Sequence, residues 1–207
     1  MELARSTYHH GNLRLALIDA GLDLTRTAGS KGLVLRDVTR VVGVSPNAAY
    51  RHFADRESLL DAVATRIQAD MVERMLALQP PDTPGRSEAR AQLTAVGLGY
   101  ISFALAEPGW FDVAFAGPDA FRTTGAASSA AAAAPAPLAL LLDALDGLVD
   151  SGELAPTARP GAEWPCWSAV HGFALLALHG PLGQQTPDVI QAAAQRTVDS
   201  AITGILH

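Results

Sequence analysis

Apolar residues recur every three or four positions along most of the chain, which is the period of an amphipathic α-helix. The first such stripe predicts a helix from Leu13 to Ala28, ended by Gly29. A second stripe predicts a two-turn helix from Leu35 to Val42, and Gly43 ends it in the same way. The N-terminal part of the chain therefore begins with two helices, each followed by glycine.

Two further helices are predicted directly afterwards by their capping residues. Ser45 is a good N-cap and is followed by proline, which favours the first helical position, so a third helix is expected from Pro46 to about Phe53. Asp55 then caps a long fourth helix, whose apolar stripe reaches Leu78 and stops before Pro80.

The rest of the chain also has helical periodicity, and no segment alternates with period two for long enough to require a strand. Helices are predicted over residues 88 to about 106, 109–115, 138 to about 149, 163–179 and 187–206. Residues 123–137 are of low complexity, and their glycine and two prolines favour a loop. The predicted fold class is all-α.

Composition limits the classes of protein that fit. With 207 residues, 49% of them hydrophobic and 17% charged, the chain has the make-up of a globular protein. Its single cysteine, Cys166, cannot form an internal disulfide or a multi-thiolate zinc site. No apolar run approaches the roughly 20 residues of a membrane span, and the N-terminus has no apolar run of the kind found in secretory signals. We expect a cytoplasmic protein without a membrane partner.

Charge is distributed unevenly between the two parts of the chain. Residues 1–66 hold nine Arg or Lys and seven Asp or Glu, whereas residues 67–207 hold six basic and fourteen acidic side chains. The overall net charge of −6 therefore conceals a slightly basic N-terminal segment. This segment is the candidate DNA-binding surface of the molecule, although its charge alone is a weak signal.

A short helix, a turn with Gly43 and a second short helix are the parts of a helix-turn-helix, whose second helix lies in the DNA major groove. Its apolar residues are expected to pack inward: Val38, Val44, Ala49 and Phe53. Its other residues are expected to point away from the core: Asn47, Ala48, Tyr50, Arg51 and His52. The bare pattern is moderately specific, because glycine-linked helix pairs occur in many helical proteins.

The residues themselves carry a more specific resemblance. The runs YHHGNLRLALIDAGLDL and LRDVTRVVGVSPNAAYRHFADRESLLDAV resemble the N-terminal DNA-binding domain of the TetR family of bacterial transcriptional regulators. The second half resembles a branch of that family with a Trp-x-x-x-His-Gly motif, here Trp167 to Gly172, and with Tyr100-x-x-Phe103 upstream. The resemblance implies a three-helix DNA-binding head at residues 1–66, joined by the fourth helix to a ligand-binding and dimerisation body at residues 67–207.

The resemblance also implies a set of DNA contacts. These are Arg36, Ser45, Pro46, Asn47, Ala48, Tyr50, Arg51, His52 and Arg56. Asn47 and Ala48 occupy the first turn of the third helix, where an amide can bind adenine and a methyl group can meet thymine. Tyr50 and His52 are expected at phosphates, and Arg56 combines its charge with the free N–H groups of a helix start, which suits a phosphate. Arg5, Tyr8 and His9 are candidates for an arm beside the groove, or for a solvated terminus.

Three positions depart from the family pattern. Val34 replaces the usual Ser or Thr, so the second helix is expected to start without a side-chain cap, a loss of about 1 kcal/mol. Thr39 replaces a small alanine that faces the third helix, and Arg56 replaces a lysine. None of the three replacements removes a group needed for DNA binding, and Arg56 keeps the charge of the lysine, but Val34 and Thr39 are expected to change the fine docking geometry.

A ligand-binding set is expected among the aromatic residues of the body. It consists of Phe103, Trp110, Phe111, Phe115, Trp167 and His171. Aromatic residues at helical spacing are often ordinary core, and His171 fits a hydrogen-bonded core position as well as a pocket wall. The hypothesis is a small, largely apolar ligand that lowers the affinity for DNA.

The last two helices are expected to form a homodimer, because they carry more apolar residues than one layer can bury. The residues behind this expectation are Val170, Ala174, Ala177, Leu178, Ile190, Ala194, Val198, Ala201, Ile202 and Ile205. Two-fold symmetry predicts a near-palindromic operator, and repression is the habit of the family.

Two alternative functions remain open from the residues alone, a helical enzyme and a protein-contact module without DNA binding. Cys166 and His171 are five residues apart and do not share a helix face, so a thiol nucleophile is not expected. No catalytic constellation, metal site or cofactor is predicted.

Overall fold

The computed structural model describes residues 13–78, 85, 87–116 and 136–207. Within these ranges every regular element is a helix, which confirms the all-α class. The α-helices are α1 (Leu13–Ala28), α2 (Leu35–Val42), α3 (Pro46–Tyr50), α4 (Arg56–Ala77), α5 (Glu88–Ala106), α6 (Pro108–Ala116), α7 (Ala136–Asp150), α8 (Glu163–His179) and α9 (Pro187–Leu206). Two 3-10 turns cover Gly29–Gly32 and Pro181–Gln184.

Two of the sequence expectations fall on residues outside the described ranges. The candidate arm of Arg5, Tyr8 and His9 is one of them, and most of the predicted loop at 123–137 is the other. The last two residues of that predicted loop, Ala136 and Pro137, already belong to α7.

The chain divides into two compact units. One unit contains the described residues up to Ile67 together with residues 109–116. The other contains the described residues of 68–108 and of 121–207. The residues of α6 from Gly109 onward therefore group with the N-terminal helices, whereas the sequence expectation put them in the body.

The first unit is built on the apolar stripes that the sequence displays. α1 packs against α2 and α3, and the side chains of Leu17, Val38, Ala49 and Phe53 are buried in its core. Gly43 has a φ of 77° and donates its N–H to the carbonyl of Thr39, so it ends α2 in the left-handed conformation that glycine adopts at little cost.

Helix α6 belongs to the first unit because its residues bind the end of α1. The indole N–H of Trp110 donates to the carbonyl of Leu22 at 2.9 Å, and the Asp112 carboxylate accepts from both the backbone N–H and the hydroxyl of Ser30 at 2.9 and 3.0 Å. A Cβ atom at Gly109 would lie 2.2 Å from the carbonyl oxygen of Arg26, so glycine is required for this approach. Spacing along the sequence could not reveal these contacts, because they join residues more than 80 positions apart.

In the second unit, α5 packs against α7, α8 and α9. Its core includes Tyr100, Phe103 and Leu145. Near the end of α4, the Arg74 guanidinium lies over the Phe103 ring at 5.5 Å and forms an ion pair with the buried Glu107 at 3.1 Å. The last turn of α4 is thereby fixed to the last turn of α5.

The described residues contain neither a candidate membrane span nor a candidate metal cluster. None of the helices in these ranges is both long enough and apolar enough to cross a membrane. Among the same residues, no group of three or more His, Cys, Asp or Glu side chains is arranged to hold a metal ion.

Candidate nucleic-acid interface and ligand cavity

Helix α3 starts where its capping residues predict. The Ser45 hydroxyl accepts the backbone N–H of Ala48 at 3.3 Å, and Pro46 occupies the first helical turn. The helix ends at Tyr50 rather than near Phe53: residues 51 and 52 form a turn, in which the N–H of His52 donates to the carbonyl of Ala49 three positions back. The second helix of the motif is therefore shorter than predicted.

The helix-turn-helix separates its apolar and polar residues as expected. Val38, Ala49 and Phe53 are buried, and Val44 is half-buried. Most of the predicted DNA contacts are exposed, namely Arg36, Ser45, Pro46, Asn47, Tyr50, Arg51 and His52, whereas Ala48 is half-buried. Residues 45–53 contain no acidic side chain, and the nearby Asp37 forms an ion pair with Arg40 at 2.9 Å. This surface is polar, weakly basic and supported by a small buried core.

Arg56 has a structural role that the sequence analysis missed. Its guanidinium donates to the carbonyls of Leu33 and Ser30 at 2.7 and 2.5 Å, and it forms an ion pair with Glu57 at 3.0 Å. The guanidinium expected at a phosphate is therefore bonded to the linker before α2. Its phosphate contact stays a prediction.

The other two departures from the family pattern have defined surroundings. Val34 adopts the extended conformation of an N-cap residue, but α2 has no side-chain cap, as its apolar side chain predicts. Thr39 is buried, and its hydroxyl donates to the carbonyl of Arg36 at 2.9 Å, so the extra polar group is satisfied within α2.

A small cavity lies inside the second unit. It has a volume of about 20 Å³, room for about one water molecule. Side chains from five helices line it, including Met75 from α4, Tyr100 from α5, Leu141 from α7, Cys166, Trp167 and Val170 from α8, and Val198 from α9. None of the side chains that line it carries a formal charge at neutral pH. The cavity is an apolar space with few polar atoms on its wall.

Tyr100 organises one side of this cavity. Its ring packs edge to face against Trp167, with centroids 5.1 Å apart, and its hydroxyl is 2.8 Å from Nδ1 of His171. Trp167 and His171 are one helical turn apart on α8, so the Trp-x-x-x-His pattern places both side chains against the same tyrosine.

Burial keeps the titratable groups of this wall neutral. Desolvation raises the pKa of the Tyr100 phenol and lowers the pKa of the His171 imidazole. Desolvation, with a smaller effect of the Glu163 carboxylate, raises the pKa of the Cys166 thiol to about 11. At neutral pH the wall therefore presents a phenol and a thiol, and the imidazole that contacts this phenol is neutral.

The structure does not bring the whole predicted ligand set together. Trp167 lines the cavity and His171 contacts Tyr100, but Phe103 is buried under Arg74. Trp110 does not line this cavity: its N–H is bonded to α1 and its ring lies under Arg26 at 5.0 Å. Phe111 and Phe115 contact each other edge to face within α6, and neither lines the cavity.

Of the thirteen residues that line the cavity only Trp167 was in the predicted set, and the two polar ones, Tyr100 and Cys166, were absent from it. The Tyr100-x-x-Phe103 pattern indicates the correct turn of α5. It does not indicate which of the two aromatic residues lines the cavity. Cys166 gave no signal, because a lone cysteine on an apolar helix is usually core.

The surface of the last two helices differs from the expected one. Val170, Ala174, Ala177, Ala194, Val198 and Ile202 are buried within the chain itself, so they are not the exposed apolar surface that the sequence indicated. Large apolar side chains are exposed at other positions of α8 and α9: Trp164, Leu175, Leu176 and Val189. An exposed apolar surface is thus present on these helices, and of the expected set only the half-buried Leu178, Ile190, Ala201 and Ile205 contribute to it.

Comparison with protein families identifies both parts of the chain. The model described as "Tetracyclin repressor-like, C-terminal domain" matches residues 93–201. The model described as "Bacterial regulatory proteins, tetR family" matches residues 17–63, which include the helix-turn-helix. A search of curated proteins gave no match.

Solved structures with the same fold come from several bacteria. A protein of unknown function from Rhodococcus sp. RHA1 is 28% identical, with 95% of this chain and 98% of that one covered and a TM-score of 0.68. A TetR-family transcriptional regulator from Pectobacterium atrosepticum is 19% identical, with 97% of each chain covered and a TM-score of 0.66. A TetR protein from Acinetobacter baumannii in complex with minocycline is also 19% identical, with 98% and 96% covered and a TM-score of 0.60. At 19% identity these last two show the shared fold.

Proposed function

Because the chain belongs to the TetR family of DNA-binding transcriptional regulators, we propose that it is a repressor that binds a near-palindromic operator as a homodimer and leaves it when a small apolar ligand binds. The observation that carries this proposal is the exposed polar surface of α3 on its buried helix-turn-helix core. We propose no catalytic activity and a cytoplasmic location.

Contact with DNA is supported by residues 45–53, in which some side chains are buried in the core and others are exposed. Asn47 is exposed in the first turn of α3, where its amide can reach a base edge. Tyr50, Arg51 and His52 follow as exposed donors that can bind phosphate oxygens. Because Ala49 and Phe53 hold this segment to the core, the exposed side chains are free to bind DNA without supporting the fold.

A homodimer is supported by the exposed apolar residues of α8 and α9. Leu176 is 51% exposed, and Leu175 and Val189 are also exposed. Such side chains on neighbouring helices favour a protein contact, and a two-fold contact would repeat the same surface on both copies. The α3 helices of the two copies would then bind two half-sites, so we expect the operator to be a near-palindrome.

Release by a ligand is supported by the connection between α5 and α6. α5 lines the cavity with Tyr100, and only Glu107 separates its end from α6. α6 is in turn bound to α1 through Trp110 and Asp112. A ligand that displaces α5 would act on these contacts, and a coupling of about 1–3 kcal/mol would change DNA affinity roughly 5- to 150-fold, with DNA weakening the ligand equally.

The DNA-binding proposal is tested by selection from genomic fragments followed by mobility shifts at several salt concentrations. We expect selected fragments to share a near-palindrome and the affinity to fall with salt. Tyr50→Ala or His52→Ala should weaken binding to all fragments while the fold is kept, and Arg196→Ala, an exposed change on α9, should not. If no fragment is enriched and no salt-dependent binding is found, the chain is not a DNA-binding regulator.

The dimer proposal is tested by sedimentation with a matched pair of variants. Leu176 and Leu15 are each 51% exposed, the first on α8 and the second on α1. We expect Leu176→Glu to give monomers at micromolar concentration and Leu15→Glu to remain dimeric. A monomeric wild type, or equal behaviour of the two variants, would contradict a dimer through the last two helices.

A further inference from the structure

We propose that the cavity beside Tyr100 binds a small uncharged molecule with an apolar body and one hydroxyl or carbonyl group, which is bound by the Tyr100–His171 pair. This inference names the class of ligand for the proposed regulator and rests on that function for its biological consequence. Its physical basis lies wholly within the second unit.

The apolar body of the ligand follows from the wall of the cavity. Leu141, Val170 and Val198 contribute aliphatic side chains from three different helices, and Trp167 contributes an indole ring. A guest among these side chains is stabilised in proportion to the apolar surface that it removes from water. A mainly polar molecule would lose its hydrogen bonds to water without replacing them.

The absence of charge on the ligand follows from the state of the polar wall groups, Tyr100 and Cys166, and of His171, which contacts Tyr100 from outside the lining. A buried ion needs an opposite charge, and none of the residues that line this cavity supplies one. Burial keeps Tyr100 and Cys166 protonated and His171 neutral at pH 7. The nearby Glu163 carboxylate is already paired with Arg159 at 3.0 Å. Both anionic and cationic guests are therefore disfavoured.

The single polar group of the ligand follows from the Tyr100–His171 contact. A phenol can donate and accept, and a neutral imidazole can hold its proton on either nitrogen. The pair, with its 2.8 Å contact, can therefore rearrange to donate to a carbonyl or to accept from a hydroxyl. Trp167 packs against the Tyr100 ring and restricts where this polar group can lie.

The size of the cavity predicts that binding opens it. A volume of about 20 Å³ is far below the roughly 300–1,000 Å³ of ligand pockets, so the surrounding helices must separate around a guest. Cys166 is buried on the wall and is the chain's single cysteine, so the rate at which iodoacetamide alkylates it measures access to the cavity. A bound guest should slow this reaction.

The experiment uses five probes that share one ring system. These are 1-indanone, 2-indanol, indane, indane-2-carboxylate and 2-aminoindane, each titrated into the full chain at pH 7 with Cys166 alkylation and thermal unfolding as readouts. We expect indanone and indanol to protect Cys166 and raise the Tm, and indane to bind roughly tenfold more weakly because it lacks the hydrogen bond. The carboxylate and the ammonium compound should bind at least about 100-fold more weakly.

Two variants identify the groups responsible. Tyr100→Phe keeps the ring and removes the hydroxyl, so it should bind indane like the wild type but lose the preference for indanone and indanol. Val170→Ile adds one methylene to the wall and should weaken all neutral probes. Thr65→Val removes a hydroxyl from the exposed surface of α4 and serves as the control, with wild-type binding expected.

The outcomes test the ligand class and the proposed function separately. Tight binding of a charged probe, no protection by any neutral probe, or an unchanged preference in a folded Tyr100→Phe variant would overturn the ligand class. Mobility shifts with the same samples test the regulator separately. Neutral probes that bind without DNA binding by the chain would leave the ligand class standing and remove the proposed function.

Discussion

Tyr50 and Tyr100 carry the same side chain in opposite surroundings. Tyr50, at the end of α3, is 53% exposed, and it stands on a core made by smaller residues. Tyr100, in the middle of α5, is 1% exposed, packs against Trp167 and contacts His171 through its hydroxyl. The first phenol is available to a macromolecule, and the second only to a guest that enters the protein.

The comparison extends to the segments around the two tyrosines. The surface of α3 depends on local contacts, such as the cap from Ser45 to Ala48 and the turn back to Ala49. The cavity wall depends on contacts between α5 and α8, whose residues are about 70 positions apart. Substitutions around Tyr50 should therefore change binding more than stability, and substitutions of long-range packing residues should do the reverse.

The largest effect is expected from removing a tryptophan with long-range contacts. Trp110 is buried and its N–H is bonded to α1, whereas Trp164 is 59% exposed on α8. Trp110→Ala should lower the free energy of unfolding by about 3–5 kcal/mol. Trp164→Ala in the monomeric Leu176→Glu background should change it by no more than about 0.5 kcal/mol, because this side chain is exposed within the single chain. Urea unfolding at one fixed protein concentration measures both, and equal losses would mean that the contacts of Trp110 contribute little to the fold.

The next largest effect is expected on DNA recognition. Asn47→Ala should reduce discrimination at one operator base pair by about 1–3 kcal/mol, because an exposed amide at the helix start can bind a base edge. Arg51→Ala should instead weaken binding to all sequences and reduce the salt slope by about 1. Competition binding with single-base operator variants separates the two results. If Asn47→Ala weakened binding equally for all operator variants, this residue would contact the DNA backbone and not a base.

The difference between local contacts around Tyr50 and long-range contacts around Tyr100 also decides how much of each region the sequence predicts. The caps at Ser45 and Gly43 and the buried face of α3 could be predicted, because they depend on neighbours within a few positions. The early end of α3 at Tyr50 could not, since no glycine or proline marks it and the N–H of Phe53 still donates to the carbonyl of Ala49 four positions back, as in a helix. Arg56 was expected at a phosphate, and its bonds to two linker carbonyls depend on residues more than 20 positions away.

The body shows where spacing along the chain stops being informative. Trp110 and Trp167 both occur in aromatic clusters, yet the first binds α1 and the second lines the cavity. Their own helices have similar apolar character, so only tertiary packing distinguishes them. The apolar residues of α9 illustrate the same limit, because Ala194, Val198 and Ile202 are buried within the chain rather than exposed for a partner.

A smaller effect is expected from the pH dependence of the cavity wall. Burial lowers the pKa of His171 below its usual value near 6.5, so the unfolded chain binds this proton more tightly than the folded one. Stability is therefore full above about pH 6.5 and decreases as the pH falls, with a slope of at most about 1.4 kcal/mol per pH unit. His171→Gln should flatten this slope in urea unfolding between pH 7 and 5. The exposed His179 on the same helix provides the control, and His179→Gln should keep the wild-type slope.

The smallest effect is expected at the start of α2, where the first unit lacks a side-chain cap. Val34 is 46% exposed in the extended conformation of an N-cap, but it has no oxygen to accept the free N–H groups at the start of α2. Val34→Thr supplies that oxygen and should raise the free energy of unfolding by up to about 1 kcal/mol. Val41→Thr makes the same exchange at a 57% exposed position inside α2, where no free N–H is available, and should give no gain. Equal unfolding midpoints for the two variants would contradict a missing cap. A gain confined to Val34→Thr would show that a hydrogen bond within one helical turn stabilises the first unit, in contrast to the long-range packing around Trp110.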